Sequence, residues 1–382
     1  MTTVLHLITE LDNGGAERML YNLVRASDHR AVRHMLVSMV ARGSVARRIQ
    51  ALDIPCYSLG MRPGRLSLFA LARLVRLLRR LRPDVLQTWL YHADLMGLIG
   101  GKIAGVPHIA WNVRCSDIDL AKYPRSLAVL IRILAWVSGL PDLAIVNSEA
   151  GRDAHTCRGY HPKRWEVIPN GFDLEEFSPD PEAKPRLLKS LGAPGDSLLI
   201  GLIARFDPLK DHIVFLKASG RVGRAFQEAR FVLAGQGVTP SNETLVREVV
   251  RQGLDGRVHL LDEREDIPDV MAGLDILVSS SYSEGFPNVI GEAMASGVPC
   301  AVTDAGDSRL IVGETGRVVG PKNSESLAKA VCDLIECGAE ERARLGRAAR
   351  ERIRRLFDLD STVARYEKLY LEICGENPAA RE

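Results

Sequence analysis

The chain has 382 residues, 46% of them apolar, with a formal net charge of +2. That length suits two domains of ordinary size, and that apolar share lies far above a disordered composition. The near-neutral balance excludes a global polyanion-binding character, and nucleic acid is not an expected partner.

In chain order, Met1 to Thr9 is a short apolar run with no basic start and no small-residue cleavage site, so no secretory signal is expected. Val4 to Ile8 reads as a strand, followed by a Gly-containing loop and a helix from Gly15 to Ala26. His34 to Met39, Val85 to Trp89, His108 to Trp111, Leu143 to Asn147 and Glu166 to Ile168 read as further strands. The longest apolar stretch, Ser126 to Val146, carries Arg132 and is interrupted by Gly139, Pro141 and Asp142. It falls short of the roughly 20 uninterrupted apolar residues that a spanning helix needs. A Pro- and charge-rich stretch, Ser178 to Pro194, then separates two halves, and the pattern restarts. Leu198 to Ile203, Arg230 to Ala234, Val258 to Leu261, Ile276 to Ser279, Cys300 to Thr303 and Gly316 to Val319 are buried-strand candidates, and Ser361 to Ile373 reads as a closing helix.

Strands alternating with helices imply parallel sheets covered on both faces. The expected fold is α/β, with two Rossmann-like doubly wound domains facing a central cleft. The expected division is 1–177, a linker over 178–194, a second domain over 195–360, and a closing helix and tail over 361–382. Seven scattered cysteines with no CxxC pair suggest neither a disulfide framework nor a zinc site.

Three segments carry candidate chemistry. Asn13-Gly14-Gly15-Ala16-Glu17 ends the first strand and opens a helix, where glycines admit close ligand approach and helix N–H groups suit an anion. A tight strand-to-helix turn without any ligand accounts for the same residues. Arg205-Phe206-Asp207-Pro208-Leu209-Lys210 follows a strand, and Pro208 suits a helix start. Arg205 and Lys210 would form a diphosphate site near the top of the sheet, or else a pair of solvated charges. The third segment, Ser279 to Pro299, holds Glu284 and Glu292, which one uninterrupted helix would set roughly 80° apart. Gly285 and Pro287 instead put Glu284 on a loop, with Glu292 about one turn into a helix that Gly297 and Pro299 end. A carboxylate accepts from sugar hydroxyls, and free helix N–H groups near Asn288 and Val289 suit phosphate oxygens.

Together these residues resemble the retaining glycosyltransferases of family 4, which have two Rossmann-like domains, the GT-B architecture. The likeness runs over almost the whole length. It takes in Gly14 to Glu17, Ile168-Pro169-Asn170-Gly171-Phe172-Asp173 with Phe177, and Arg205 with Lys210. It continues through Gly235-Gln236-Gly237, the Glu284/Glu292 pair in its Gly-Phe-Pro-Asn context, and Thr315-Gly316. The resemblance implies that Arg205 and Lys210 bind the donor diphosphate, that Glu284 lies beside the transferred sugar, and that Glu292 holds the ribose hydroxyls. It further implies backbone contacts from Phe286, Pro287, Asn288 and Val289, and a diphosphate contact from Gly15. Many relatives carry a histidine after a Pro-apolar strand, where this chain has Pro107 to Arg114 and places Asn112 or Arg114 in that neighbourhood. His92, read as lying in a loop, and His108, on a strand, are the alternatives.

No Asp-x-Asp motif stands at a suitable strand end, so no metal and no cofactor is expected. The expected reaction is metal-independent, retaining transfer of a hexose or N-acetylhexosamine from a nucleotide-diphosphate sugar to a glycan or lipid-linked acceptor. The resemblance favours a UDP-sugar, and places the reaction in cell-surface polysaccharide synthesis such as lipopolysaccharide or exopolysaccharide. A nucleotide-sugar epimerase and a non-catalytic sugar-nucleotide-binding protein are the other classes. The segment Arg62 to Arg82 has leucines at helical spacing with interspersed arginines. It reads either as a helix resting on an anionic membrane or as a packed helix with a solvated basic face. The expected location is the cytoplasm, with peripheral contact at the inner membrane face.

Overall fold

The computed structural model describes residues 1–11, 14–40, 43–62, 67–114 and 125–375. It divides into two compact units, Met1–Gly171 with Leu359–Glu382, and Phe172–Asp358.

The first unit begins β1 (Thr2–Ile8), α1 (Gly15–Ala26), β2 (Val32–Ser38), α2 (Ser44–Gln50), β3 (Cys56–Ser58) and α3 (Leu68–Leu81). It continues β4 (Val85–Trp89), α4 (Tyr91–Ala104), β5 (His108–Val113), α5 (Arg125–Val137), β6 (Leu143–Val146), α6 (Glu149–Cys157) and β7 (Trp165–Val167). The second unit holds α7 (Ala183–Leu191), β8 (Leu198–Ile203), a 3₁₀ turn (Pro208–Lys210), α8 (His212–Ala225), β9 (Ala229–Ala234) and α9 (Glu243–Arg251). Then come β10 (Val258–Leu260), α10 (Ile267–Ala272), β11 (Ile276–Ser279), α11 (Asn288–Ala295), β12 (Cys300–Thr303) and α12 (Ser308–Val312). β13 (Arg317–Val319), α13 (Ser324–Glu336) and α14 (Gly338–Leu356) complete that unit, and α15 (Leu359–Ile373) returns to the first.

Central strands such as β4, β11 and β12 are buried at every position, as parallel strands covered on both faces must be. The first sheet has the order β3-β2-β1-β4-β5-β6-β7 and the second β10-β9-β8-β11-β12-β13, with every pairing parallel. In each, the order reverses beside the unit's first strand, between β1 and β4 and between β8 and β11. Such reversal points open crevices at the carboxyl ends of strands, where doubly wound sheets bind ligands.

Several expectations are corrected. The units meet at Gly171/Phe172 rather than after residue 177, because Phe172 and Phe177 pack into the core of the second unit. The stretch 178–194 is not a free linker, since α7 buries Leu187 and Leu188 in that same core. The closing helix starts at Leu359 and sets Leu359, Val363, Tyr366 and Tyr370 among the core residues of the first unit. Gly171 permits this approach, since a Cβ there would lie 2.7 Å from Leu359 Cα. The edge strand β3 was not expected, its three residues being too few for any alternation to show. His92 lies in the first turn of α4 and not in a loop. That helix starts directly after β4 because Leu90 takes φ +73°, a conformation that no sequence punctuation announces.

Three buried histidines sit in the first unit. Trp89 Nε1 donates to His6 Nδ1 at 3.2 Å, so His6 carries its proton on Nε2 and donates to His34 Nδ1 at 2.9 Å. His155 Nδ1 donates to the Gly151 carbonyl at 2.7 Å, while its Nε2 lies 2.8 Å from the Tyr91 hydroxyl. Among the described residues no helix is long and apolar enough to cross a membrane. Cys115, Asn13, Arg65 and Leu66 lie outside the described residues.

Candidate functional site

The second unit brings the loops after β8 and β11, its two strands at the reversal point, into direct contact. Asp207 opens the 3₁₀ turn by accepting from Leu209 N at 2.9 Å, and Pro208 takes its first position. This turn is three residues long and is not the start of α8. Asp211 breaks the chain with φ +48° and then caps α8 by accepting from Val214 N at 3.2 Å. Lys210 therefore stands at the end of a tight turn with its backbone fixed: its carbonyl accepts from Ser280 Oγ at 2.8 Å, and the Leu209 carbonyl accepts from Tyr282 N at 3.0 Å.

Across that junction Lys210 Nζ donates to Glu284 Oε1 at 2.5 Å, and Ser281 Oγ donates to the same oxygen at 2.7 Å. The side chains are 24% and 12% exposed, so the pair is half-shielded rather than a solvated surface contact. Glu284 lies on the loop, as read from Gly285 and Pro287. Thr303 Oγ1 ties the base of this loop by donating to the Ser279 carbonyl at 3.2 Å and to the Ser281 carbonyl.

Arg205 goes elsewhere. Its Nε and Nη2 both donate to Asp207 Oδ2, at 3.3 and 3.2 Å, and its side chain stays 59% exposed. The structure thus joins Lys210 to Glu284 and fastens Arg205 to the turn that carries Lys210. Its segment is held from both sides. Phe206 N donates to the Gln236 carbonyl at 2.8 Å, and His212 Nε2 lies 3.2 Å from the Ala204 carbonyl. Burial lowers the His212 pKa to about 4, so the ring is neutral and donates from Nε2. Gly235, at φ +145°, is required here because a Cβ would lie 2.3 Å from the Ala204 carbonyl oxygen.

Glu292 is the fifth residue of α11 and is buried. The N-cap of that helix is Pro287, whose side chain has no acceptor for the first N–H groups. Asn288 and Val289 are half-buried at its start. Phe286 and Pro287 are buried, and the Phe286 ring packs between Phe172 at 6.1 Å and Phe357 at 5.5 Å. The Phe286 side chain is therefore an anchor that fixes the loop, and only its backbone is available to a ligand. Gly297, at φ +76°, ends the helix as expected.

Asp207, Ser280, Ser281 and Gly306 belong to the site yet were not singled out. The Ser-Ser-Ser run after β11 was the signal available for two of them. Gly306, at φ +56°, lets its chain pass against the loop, since a Cβ would lie 2.3 Å from the Gly285 oxygen and 2.5 Å from the Glu284 oxygen. Gly306→Ala should cost about 1–2 kcal/mol for the left-handed backbone alone. It should also shift Glu284, lowering turnover about tenfold or more, since small displacements of positioned groups are costly. Melting temperature and steady-state kinetics measured on one preparation separate the two effects.

In the first unit, Gly15 is exposed at the start of α1, and Glu17 curls back so that a Cβ on Gly14 would lie 2.2 Å from its Oε2. A carboxylate thus already occupies the N-terminal end of that helix. Asn112 is fully buried and its Nδ2 donates to the Tyr366 hydroxyl at 3.1 Å, so it secures α15 rather than facing a ligand. Arg114 Nη2 donates to Asn170 Oδ1 at 2.7 Å, and its guanidinium lies 5.2 Å from the Trp89 ring centre. His92 is exposed, and His108 lies 4.0 Å from Asp142. Among the described residues no group of three His, Cys, Asp or Glu side chains is placed to hold a metal ion.

The family described as Glycosyltransferase Family 4 matches residues 13–176, and that described as Glycosyl transferases group 1 matches residues 197–337. The chain is 28% identical over 311 residues to the putative glycosyltransferase EpsF of Bacillus subtilis, covering 79% of each protein. It is 26% identical over 248 residues to the UDP-Gal:alpha-D-GlcNAc-diphosphoundecaprenol alpha-1,3-galactosyltransferase of Escherichia coli, covering 64% of this chain and 63% of that one. The crystal structure of HepE from Anabaena in complex with UDP-glucose superposes with a TM-score of 0.84 at 24% identity, over 97% of this chain and all of that one.

Proposed function

The chain is a glycosyltransferase of GT-B architecture, and from that premise we propose that it moves a hexose or N-acetylhexosamine from a UDP-sugar to a lipid-linked or glycan acceptor. The transfer retains the anomeric configuration, uses no metal, and serves cell-surface polysaccharide synthesis at the cytoplasmic face of a membrane. The observation that carries this reading is the Lys210–Glu284 pair at the reversal point of the second sheet.

Cleaving the bond between the anomeric carbon and the diphosphate puts negative charge on the departing oxygen and positive charge on the sugar. Lys210, with donors beyond the one given to Glu284, neutralises the first. Arg205 adds a second cation, and the positive end of the α11 dipole faces phosphate oxygens. These groups do the work that a divalent ion does in metal-dependent transfer. Glu284 accepts from hydroxyls of the transferred sugar and Glu292 from those of the ribose. The departing phosphate oxygen takes the proton of the acceptor hydroxyl, which attacks from the face being vacated. A uridine donor draws support from the Anabaena complex, and a lipid diphosphate acceptor from the name of the Escherichia coli relative.

A thermal-shift panel of nucleotide sugars identifies the donor, since a ligand of the native state raises the melting temperature. With that donor, NMR of the product is expected to show the donor's anomeric configuration, at a rate unchanged by EDTA. An inverted product, or a rate abolished by EDTA and restored by a divalent ion, removes the proposed mechanism.

A further inference from the structure

Lys210 stands beyond the end of β8, on a turn too short to satisfy its own last carbonyls. Within the turn, Lys210 N donates to the Asp207 carbonyl at 3.0 Å and Asp211 N to the Pro208 carbonyl at 3.3 Å. The Leu209 and Lys210 carbonyls are left to be met from outside, and the loop after β11 meets both. Tyr282 N donates to the Leu209 carbonyl at 3.0 Å, and Ser280 Oγ donates to the Lys210 carbonyl at 2.8 Å. The first of these is a backbone bond, which any residue but proline at 282 would make. The second needs a hydroxyl at 280.

Ser280 is itself held. It is fully buried, and the carbonyls on either side of it, those of Ser279 and Ser281, both accept from Thr303 Oγ1. Thr303 is equally buried and pairs with Val319 in the sheet. Bonds thus run from the sheet through Thr303 to the Ser280 backbone, and through the Ser280 hydroxyl to the backbone of Lys210. The next serine, Ser281, gives its hydroxyl to Glu284 Oε1 at 2.7 Å. Two consecutive serines therefore hold the two members of the ion pair, one by its backbone and the other by its carboxylate.

A lysine stem is long and flexible, so its amine stays in one place only when the backbone is fixed and the amine has a partner. Glu284 supplies the partner. The carbonyl that Ser280 holds belongs to the peptide joining Lys210 to Asp211, a non-glycine residue at φ +48°. Fixing the plane of that peptide fixes the direction in which the lysine side chain leaves the turn. Functional groups need such support, because their own contacts do not hold them to the tolerance that chemistry demands.

We infer that Ser280 is a positioning residue for the reaction: its hydroxyl sets the Lys210 amine against the donor diphosphate by fixing the lysine backbone. The inference rests on the diphosphate role given to Lys210 above. The test is a cycle of full-length wild type, Ser280→Ala, Lys210→Ala and the double variant, each titrated calorimetrically with the tightest binder among UDP, GDP and ADP. A nucleoside diphosphate carries on its terminal phosphate the charge that develops as the sugar bond breaks. Its affinity therefore reads the placement of the amine and needs no acceptor. Ser280→Ala is expected to weaken binding about tenfold, since small misplacements of a positioned group are costly. Lys210→Ala should weaken it at least as much, and Ser280→Ala should then add less than about twofold, whereas a purely structural loss would be paid again in full. Thr303→Val gives the same reading by a second route, weakening binding where Thr303→Ser, which keeps the hydroxyl, preserves it. Losses that multiply in the double variant, a Ser280→Ala chain that binds as the wild type does, or equal losses in the two Thr303 variants would overturn the role of Ser280. A Lys210→Ala chain with full affinity would instead strike the diphosphate role of the lysine, and this inference with it.

Discussion

Lys210→Ala is expected to lower turnover by about 10²–10³-fold, the usual cost of deleting one preorganised electrostatic contact to a developing charge. The loss should appear chiefly in kcat, because the diphosphate gains charge as the sugar bond breaks and Lys210 is worth more to that state than to the bound donor. Arg205→Ala should cost far less, about tenfold, and chiefly in donor KM. Its exposed guanidinium is already shared with Asp207 and is screened by water. The pair geometry adds a complication that the experiment can resolve. Removing Lys210 takes the ammonium away from Glu284, only 12% exposed, while Ser281 still donates to the carboxylate, at a stability cost of about 1–3 kcal/mol. If the ion pair only shaped the loop, Lys210→Ala with Glu284→Ala would regain both stability and activity. The expected result is recovered stability with turnover still lost, and a double variant that restores turnover would sink the electrostatic account.

The site was legible where one residue type carries one task. Glu284 and Lys210 could be placed because glycine and proline punctuate the loops around them, and the alternation of short apolar runs located twelve of the thirteen strands among the described residues. What escaped was whatever depends on neighbours distant in sequence. Nothing near Phe286 says that its ring will be packed between Phe172 and Phe357, so its part in anchoring the loop was not foreseen beside the expected backbone contact. Nothing near Asn112 says that a tyrosine 254 positions later will take its amide. The Pro- and charge-rich composition of 178–194 resembled a linker because α7 buries only a narrow stripe. Leu90 is the sharpest case: a leucine at φ +73° is held there by the strand before it and the helix after it, and no local preference predicts it.

The buried histidines make the first unit acid-labile, and the sign of the effect can be worked out. Burial is the main cause lowering His34 to about 3 and His155 to about 4, and it places His6 well below the ordinary histidine value of 6.5. Each is therefore neutral in the folded chain while its unfolded counterpart gains a proton below about pH 6.5. In that window the unfolded state binds more protons, so stability is full above it and falls as pH drops, by about 1.4 kcal/mol per unit per histidine. Asp94 works the other way. Its carboxyl is raised well above 3.8 by burial, so the folded state holds a proton that the unfolded state has released, and acid favours folding there. His212 of the second unit, also lowered by burial to about 4, adds to the three histidines, and Glu367, raised by burial, adds to the carboxyl, so on balance acid costs stability. Urea midpoints of the isolated chain should accordingly fall steeply between about pH 6 and about pH 4.5, and change little or decline slightly from about pH 6.5 upward. His155→Gln removes one titrating group and should reduce the acid slope by about 1.4 kcal/mol per unit, even though losing its bonds to Tyr91 and Gly151 lowers stability at neutral pH. The slope and the neutral-pH offset are separate readouts, so a variant that merely weakens the fold would shift the whole curve and leave its steepness unchanged.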